Sequence, residues 1–294
     1  MKKQRVFFCL FIVLFCFINI FSYNNHAVAI NKLTPLTTVP ESIKLAVVMY
    51  HSILKSKTGR YFVSPNQLEN DIIALKKAGY QSVLSADILN FVNNHGTLPS
   101  KPIYMTFDDG HYNCLYYGLP ILKKHNFKAV FNIVGAYSEH SSTSGDCDNP
   151  NYSHLTWAEI DEINKSGYVE IGNHSYNMHK FNPRFGIGQN YNENDDDYIM
   201  AITNDVVKLN SKLQETNVKT NVFAYPFGKY STLSEKVLAD LGFNITLTCN
   251  EGISVLKRNN PECTKLLKRI NREGSYSTYE FVEKINNFAN KTIL

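Results

Sequence analysis

The sequence has almost no net charge beyond its first few residues, few cysteines, and a single tryptophan among its 294 residues. The formal charge is +4, from 30 Lys+Arg against 26 Asp+Glu. Three of those cations, Lys2, Lys3 and Arg5, stand within the first five residues, and without them the balance is 27 to 26, a formal +1. A chain this close to neutral offers no polybasic surface, so neither a nucleic acid nor an anionic membrane is expected as a partner. No Gly-x-Gly-x-x-Gly follows an early strand and no His-Glu-x-x-His occurs, which disfavours a dinucleotide-binding sheet and a zincin-type peptidase or amidase. Of the six cysteines, Cys9 and Cys16 fall in the leading segment, leaving Cys114, Cys147, Cys249 and Cys263 with no Cys-x-x-Cys spacing. That excludes a zinc knuckle and a dithiol redox motif. In an exported chain these thiols can oxidise, and Cys249–Cys263 closes the shorter loop, but four free thiols fit the spacing equally well.

What is present begins with an export signal. A basic start is followed by the apolar run Val6 to Phe21 and then by Ala27-Val28-Ala29, a small-x-small cleavage pattern. The run is shorter than the roughly 20 residues of a membrane span. Cleavage after Ala29 is therefore expected, with an uncleaved membrane anchor as the alternative. Residues 30–43, interrupted by Pro35 and Pro40, read as a linker. The remainder, 44–294, is long enough for one large domain with a full core.

Within that remainder strand-like and helix-like segments alternate. Strands are expected near Leu45–Tyr50, Gln81–Leu84, Pro102–Phe107, Lys128–Val134, Tyr168–Ile171, Asn221–Tyr225, Asn244–Leu247 and Leu266–Ile270. Helices are expected at Pro65–Ala78, Ala86–Asn93, Leu115–His125, Thr156–Lys165, Tyr198–Glu215, Leu233–Leu241 and Thr278–Ala289. Ser64 with Gln67 and Thr156 with Glu159 mark helix starts. This rhythm predicts an α/β fold built of βαβ units, a distorted (β/α) barrel of seven or eight strands, with an open doubly wound sheet as the alternative. Two polar stretches, 135–154 and 180–197, break the rhythm and read as long loops after strands, on the face where such folds place their chemistry.

Thr106-Phe107-Asp108-Asp109-Gly110 ends an apolar strand. Two adjacent carboxylates there need a partner, a metal or a proton, and Gly110 permits a sharp turn that offers both to one cavity. The same residues would also serve as an Asp turn capping the next helix. Gly172-Asn173-His174-Ser175-Tyr176-Asn177-Met178-His179 follows another strand. Two histidines five apart do not share one helix face, but in a loop they can fold over an ion. Two histidines and a carboxylate form a common catalytic zinc set.

Together with Tyr225-Pro226-Phe227-Gly228, these segments resemble the NodB-homology polysaccharide deacetylases, carbohydrate esterase family 4. The resemblance covers roughly residues 45–285, with the motifs in the family's order. It implies a metal-dependent hydrolase that removes acetyl groups from N-acetylated sugars. Asp109, His174 and His179 would hold a divalent ion, usually zinc, with cobalt, nickel or manganese as alternatives, and Asp108 would be the base. Tyr225, Pro226, Phe227 and Gly228 would line the substrate groove, with a backbone amide near Phe227 on the oxyanion. Tyr176 and Trp157 would stack on sugar rings.

The chain departs from the commoner pattern twice. The last strand, Leu266-Leu267-Lys268-Arg269-Ile270-Asn271, carries no histidine to serve as acid, and Ala224 stands where an arginine usually orients the base. His51, after the first strand in Tyr50-His51, resembles the acid of the subgroup acting on poly-β-1,6-N-acetylglucosamine, and Arg269 or Arg272 could replace the arginine. His111 could line the site, whereas His95, His125, His140 and His154 read as surface residues. The expected substrate is accordingly an extracellular N-acetylglucosamine polymer. Peptidoglycan or chitin-type oligomers are the alternative, and a non-catalytic glycan binder is the alternative of another class.

Overall fold

Alternation along the strands decides which residues reach the centre of this molecule, because side chains two apart in a strand share a face. The computed structural model describes residues 40–56, 58–145 and 147–291. The expected leader (1–29) and the linker up to Val39 lie outside the described residues. The first strand, β1 (Ser42–Tyr50), starts two residues before the boundary expected at 44.

Next come a two-residue pair, β2 (Ser52–Ile53) and β3 (Phe62–Val63), then α1 (Pro65–Lys77), β4 (Gln81–Ser82) and α2 (Ser85–Val92). β5 (Pro102–Phe107) leads through a π-helical turn, Cys114–Gly118, into α3 (Leu119–His125). β6 (Ala129–Ile133), α4 (Gly135–Ser144), α5 (Trp157–Lys165), β7 (Val169–Asn173) and α6 (Asp195–Glu215) follow. β8 (Val222–Ala224), α7 (Thr232–Asp240), β9 (Ile245–Leu247), β10 (Ser254–Lys257), β11 (Ile270–Asn271) and α8 (Thr278–Asn290) complete the chain.

The sheet runs β10-β1-β5-β6-β7-β8-β9, with β4 beside β5 and β11 beside the C-terminal half of β1. Neighbours from β1 to β9 are parallel, while β10 is antiparallel to β1. A bridge between Leu247 and Leu267 ties β9 to the segment entering β11. Because β11 pairs with β1, the sheet curls round on itself as the distorted (β/α) barrel that the sequence predicts.

The two faces separate cleanly. Leu45, Val47, Tyr104, Val130, Val222 and Ala224 pack together inside the curl, while Ala46, Val48, Ile103, Met105, Ala129 and Phe131 pack against the helices. Continuing the inner rows by steps of two reaches Met49 and His51, Thr106 and Asp108, Asn132, and Gly172 and His174. All emerge at the C-terminal ends of parallel strands, where the chain must leave the sheet and its polar groups can meet a cavity.

The helix starts at Ser64 and Thr156 are capping boxes, as expected: the Gln67 and Glu159 amides donate to the Ser64 and Thr156 hydroxyls. Three expectations need correction. The stretch 135–154 is not wholly loop, because Gly135–Ser144 is helical and its Glu139 accepts a bond from Trp157 Nε1 at 2.9 Å. The last strand is Ile270–Asn271 rather than Leu266–Ile270. The Cys249–Cys263 pairing does not form: all four thiols are free, Cys249 Sγ lying beside Arg269 and Cys263 Sγ accepting from the Lys257 amide.

Candidate active site

At the end of β5 the backbone turns through Asp109 (φ 74°) and Gly110 (φ 68°). A left-handed Asp is a strained choice, of the kind that concentrates where function requires it. Glycine suits 110, where φ is positive and a Cβ would press on Ile133 Cδ1 at 3.0 Å. The turn sends Asp108 into the barrel mouth and Asp109 toward the loop after β7.

That loop is also left-handed at its start, at Ser175 (φ 68°). Its form is set by Asp205 of α6, whose carboxylate accepts from the amides of Tyr176 at 2.7 Å and Asn177 at 2.8 Å. His174 Nδ1 lies 2.6 Å from the Ala224 carbonyl, which can only accept, so Nδ1 carries the proton and Nε2 presents its lone pair. Burial pushes the His174 imidazole down to about 4, against the pull of Asp108, so the ring is neutral near pH 7, as a ligand must be.

Asp109, His174 and His179 offer ligand atoms that all lie within 4.8 Å of one another. Asp109 Oδ1 stands 3.2 Å from His179 Nε2 and 3.7 Å from His174 Nε2, yet it is buried without a hydrogen-bond partner. A buried carboxylate oxygen aimed at two ring nitrogens is costly unless a cation sits among them. The donor set of two imidazoles and one carboxylate suits zinc with an open fourth position. The residues present therefore fit a divalent ion.

Asp108 is held differently. Its Oδ1 accepts from Asn132 Nδ2 at 2.7 Å and from Arg269 Nη1 at 2.8 Å. Its Oδ2 lies 4.0 Å from His174 Nε2. Burial raises this carboxyl, but Arg269, with His174 second, outweighs it and holds the group well below the usual carboxylate range. Arg269 is itself fully buried and also donates to Thr248 O at 2.7 Å and Thr106 Oγ1 at 3.2 Å. Of the two candidates for the missing arginine, Arg269 is beside Asp108, while Arg272 pairs with buried Asp71 at 2.6 Å.

His51 lines the same cavity as Asp108, Asp109, His174 and His179. Its Nδ1 is buried without a partner, and its ring leans on Tyr61 at 4.7 Å between centroids. Burial lowers its pKa, while Asp109 and Asp108 oppose the shift. The cavity, of about 790 Å³, also has Phe227, Phe181 and Phe185 in its wall, and Arg60, Glu273 and Tyr276.

The remaining expected site residues fall elsewhere. Tyr176 packs beneath Lys208 with only 9% of its surface exposed, and Tyr225 is buried with its hydroxyl on Glu235. Neither these nor Pro226, Gly228 or Trp157 line the cavity, so of that group only Phe227 does. His111 does line it, 3.6 Å from Asp109 Oδ2, and His154 is half-buried against His111 and Tyr137 rather than a surface residue.

Asn132 and Asp205 were not legible as site residues, but Gly172 hints at the first. A Cβ at 172 would lie 2.0 Å from Asn132 Oδ1. Gly172→Ala should therefore push Asn132 off Asp108 and lower stability by about 1.5–3 kcal/mol, the loss of one hydrogen bond to a charged group. Urea denaturation reads this, and an unchanged midpoint would show that Asn132 has room to stay.

The chain resembles known proteins in sequence and in fold. The sequence profile of the polysaccharide deacetylase family matches residues 95–246. The chain is 24% identical over 259 residues to the poly-β-1,6-N-acetyl-D-glucosamine N-deacetylase of Escherichia coli K12, covering 76% of this chain and 38% of that protein. It thus spans well under half the length of that relative. Among solved structures, a de-N-acetylase from Aggregatibacter actinomycetemcomitans superposes with a TM-score of 0.69 at 23% identity, covering 83% of this chain and 99% of the other. IcaB from Ammonifex degensii gives 0.67 at 20% identity, covering 85% and 98%.

Proposed function

Because the chain belongs to the polysaccharide deacetylase family, we propose that it is a metal-dependent N-deacetylase of an extracellular N-acetylglucosamine polymer, with poly-β-1,6-N-acetylglucosamine as the favoured substrate. The observation that carries this reading is one cavity holding a three-residue cation site, a separately anchored carboxylate and an imidazole. The similarity to the E. coli enzyme, and a histidine after the first strand with none in the last, favour the β-1,6 polymer. The expected leader supports an exported protein. Among the described residues no helix is long and apolar enough to cross a membrane.

Asp109, His174 and His179 would hold the ion, with zinc favoured by the donor set. The chemistry such an ion supplies is polarisation of the amide carbonyl and acidification of water toward a pKa of about 7. Asp108 then accepts the attacking water's proton at Oδ2, because Oδ1 is already taken by Asn132 and Arg269. His51 gives a proton to the departing amine. Burial lowers the His51 pKa from the ordinary imidazole value, against the pull of Asp109 and Asp108, which makes the protonated ring a ready donor. In the Tyr225–Gly228 turn, the Tyr225 and Gly228 amides donate to Leu247 O and Tyr225 O, and Pro226 has no N–H. That leaves the Phe227 amide as the candidate oxyanion donor.

The test is acetate release from β-1,6- and β-1,4-linked N-acetylglucosamine oligomers, with and without chelator. Release from the β-1,6 oligomer, lost on chelation and restored by zinc, is expected. No release from either oligomer or from peptidoglycan, with metal supplied, would end the enzyme reading. His51→Ala should cut turnover about 100-fold, the lower range for a lost general acid, while zinc stoichiometry stays at wild type. Turnover within a few-fold of wild type would move the acid role elsewhere.

A further inference from the structure

Two phenyl rings stand at the mouth of the cavity with no core to fill. Phe181 is 67% exposed and Phe185 is 38% exposed. They stack near-parallel on each other at 5.4 Å and on Phe227 at 4.5 and 5.1 Å. Phe227 in turn lies 4.4 Å from the His179 ring. The apolar surface is thus continuous from the cation site out to solvent.

The loop that carries the outer rings is tied down. Arg184 holds the Glu193 carboxylate and donates to Gly188 O at 2.8 Å. Buried Tyr198 of α6 donates its hydroxyl to Ile187 O at 2.8 Å. At Gly186 (φ +59°) the backbone passes so close to the Phe227 turn that a Cβ would lie 2.6 Å from Pro226 O. A segment fixed at three points, with large apolar groups turned outward, is built to present them. Contiguous exposed apolar surface of this kind marks a binding site.

We propose that Phe181, Phe185 and Phe227 form a stacking platform for the sugar residue next to the one being deacetylated. This rests on the deacetylase reading of the adjoining site. A polymer whose acetamide enters the cavity must carry its neighbouring ring out across the mouth. A pyranose has an apolar C–H face and a rim of hydroxyls, which matches aromatic rings on one wall with Arg60 and Glu273 on the cavity lining. Continuity with the cavity, rather than exposure alone, selects a glycan over a lipid surface as the occupant.

Binding separates this proposal from the chemistry. Full-length Asp108→Asn protein, which should not consume its ligand, is titrated calorimetrically with a β-1,6-linked N-acetylglucosamine pentamer and with the monosaccharide. Adding Phe181→Ala with Phe185→Ala should raise the pentamer Kd about ten-fold, the loss of one to two aromatic contacts, and leave the monosaccharide response unchanged. Phe181→Trp should restore the affinity. Gly186→Ala, which pushes the loop off Pro226, should reproduce the loss without removing a ring. An unchanged pentamer Kd, or no pentamer binding to the parent, overturns the platform. So does loss of binding to phosphatidylglycerol vesicles at unaltered glycan affinity, which would assign the rings to a membrane. Ring-dependent binding by a protein that releases no acetate would keep the platform and reject the deacetylase.

Discussion

Asp108→Asn should lower acetate release by about 10³- to 10⁴-fold, the upper range for loss of a general base, while leaving one zinc bound per chain. The substitution is nearly isosteric, and an asparagine oxygen at the Oδ1 position still accepts from Asn132 and Arg269, so the two bonds that fix the side chain survive. What is lost is the second oxygen, 4.0 Å from His174 Nε2. An amide NH2 there cannot take a proton. The proposed cation ligands are a different set, since Asp109 rather than Asp108 is grouped with the histidines. Zinc content by mass spectrometry and acetate by enzymatic assay separate the roles. Turnover within ten-fold of wild type would mean that another group is the base. Loss of zinc would make Asp108 a ligand.

That separation of two adjacent carboxylates was partly legible in the sequence. Thr106-Phe107-Asp108-Asp109-Gly110 marks the end of a buried strand, and inner-face alternation carries Tyr104 and Thr106 on to Asp108. His174 and His179 were legible for the same reason, since they follow a strand of the same sheet. The partners that orient these groups were not. Asn132 lies inside an apolar strand and is indistinguishable there from a strand-end polar residue until Gly172 is seen beneath it. Asp205 is one acid among several on a long amphipathic helix, and only the fold shows it turned onto the Tyr176 and Asn177 amides.

The choice between Arg269 and Arg272 depended on strand register. The segment expected at Leu266–Ile270 actually pairs at Ile270–Asn271, which puts 269 and 271 on the inner face. Tyr176 failed as a sugar-stacking residue because its ring fills the space that Gly135 leaves, 2.4 Å from where a Cβ would stand. Helix α4 was missed because Gly-Ala-Tyr-Ser-Glu-His-Ser-Ser-Thr-Ser has neither apolar periodicity nor strong propensity. Its contacts to α5, through Glu139 and Trp157, override the local preference.

Arg269→Met should destabilise the metal-free protein by about 3–5 kcal/mol near pH 7, the range for leaving one member of a buried ion pair uncompensated. The size of the loss should depend on pH. In the wild type the Asp108 carboxyl is held well below its ordinary value, so it contributes stability above its unfolded pKa of about 3.9, lost only as pH falls through the lower folded value. Without Arg269, burial dominates and the folded pKa rises above the unfolded one. The variant then favours the protonated acid and loses stability as pH rises. The gap between the two proteins should therefore be small at about pH 3 and widen toward pH 7. Urea denaturation of both at the two pH values measures it, and a gap independent of pH would mean that the guanidinium matters only as bulk. Arg269→Lys sharpens the functional half of the argument. It keeps the charge, so much of the stability should return. A single ammonium cannot span Asp108 Oδ1, Thr106 Oγ1 and Thr248 O, which the guanidinium joins at 2.8, 3.2 and 2.7 Å. The carboxylate should then be charged but poorly aimed, and kcat should fall about ten-fold or more with KM little changed, the signature of an interaction made only as the reaction proceeds.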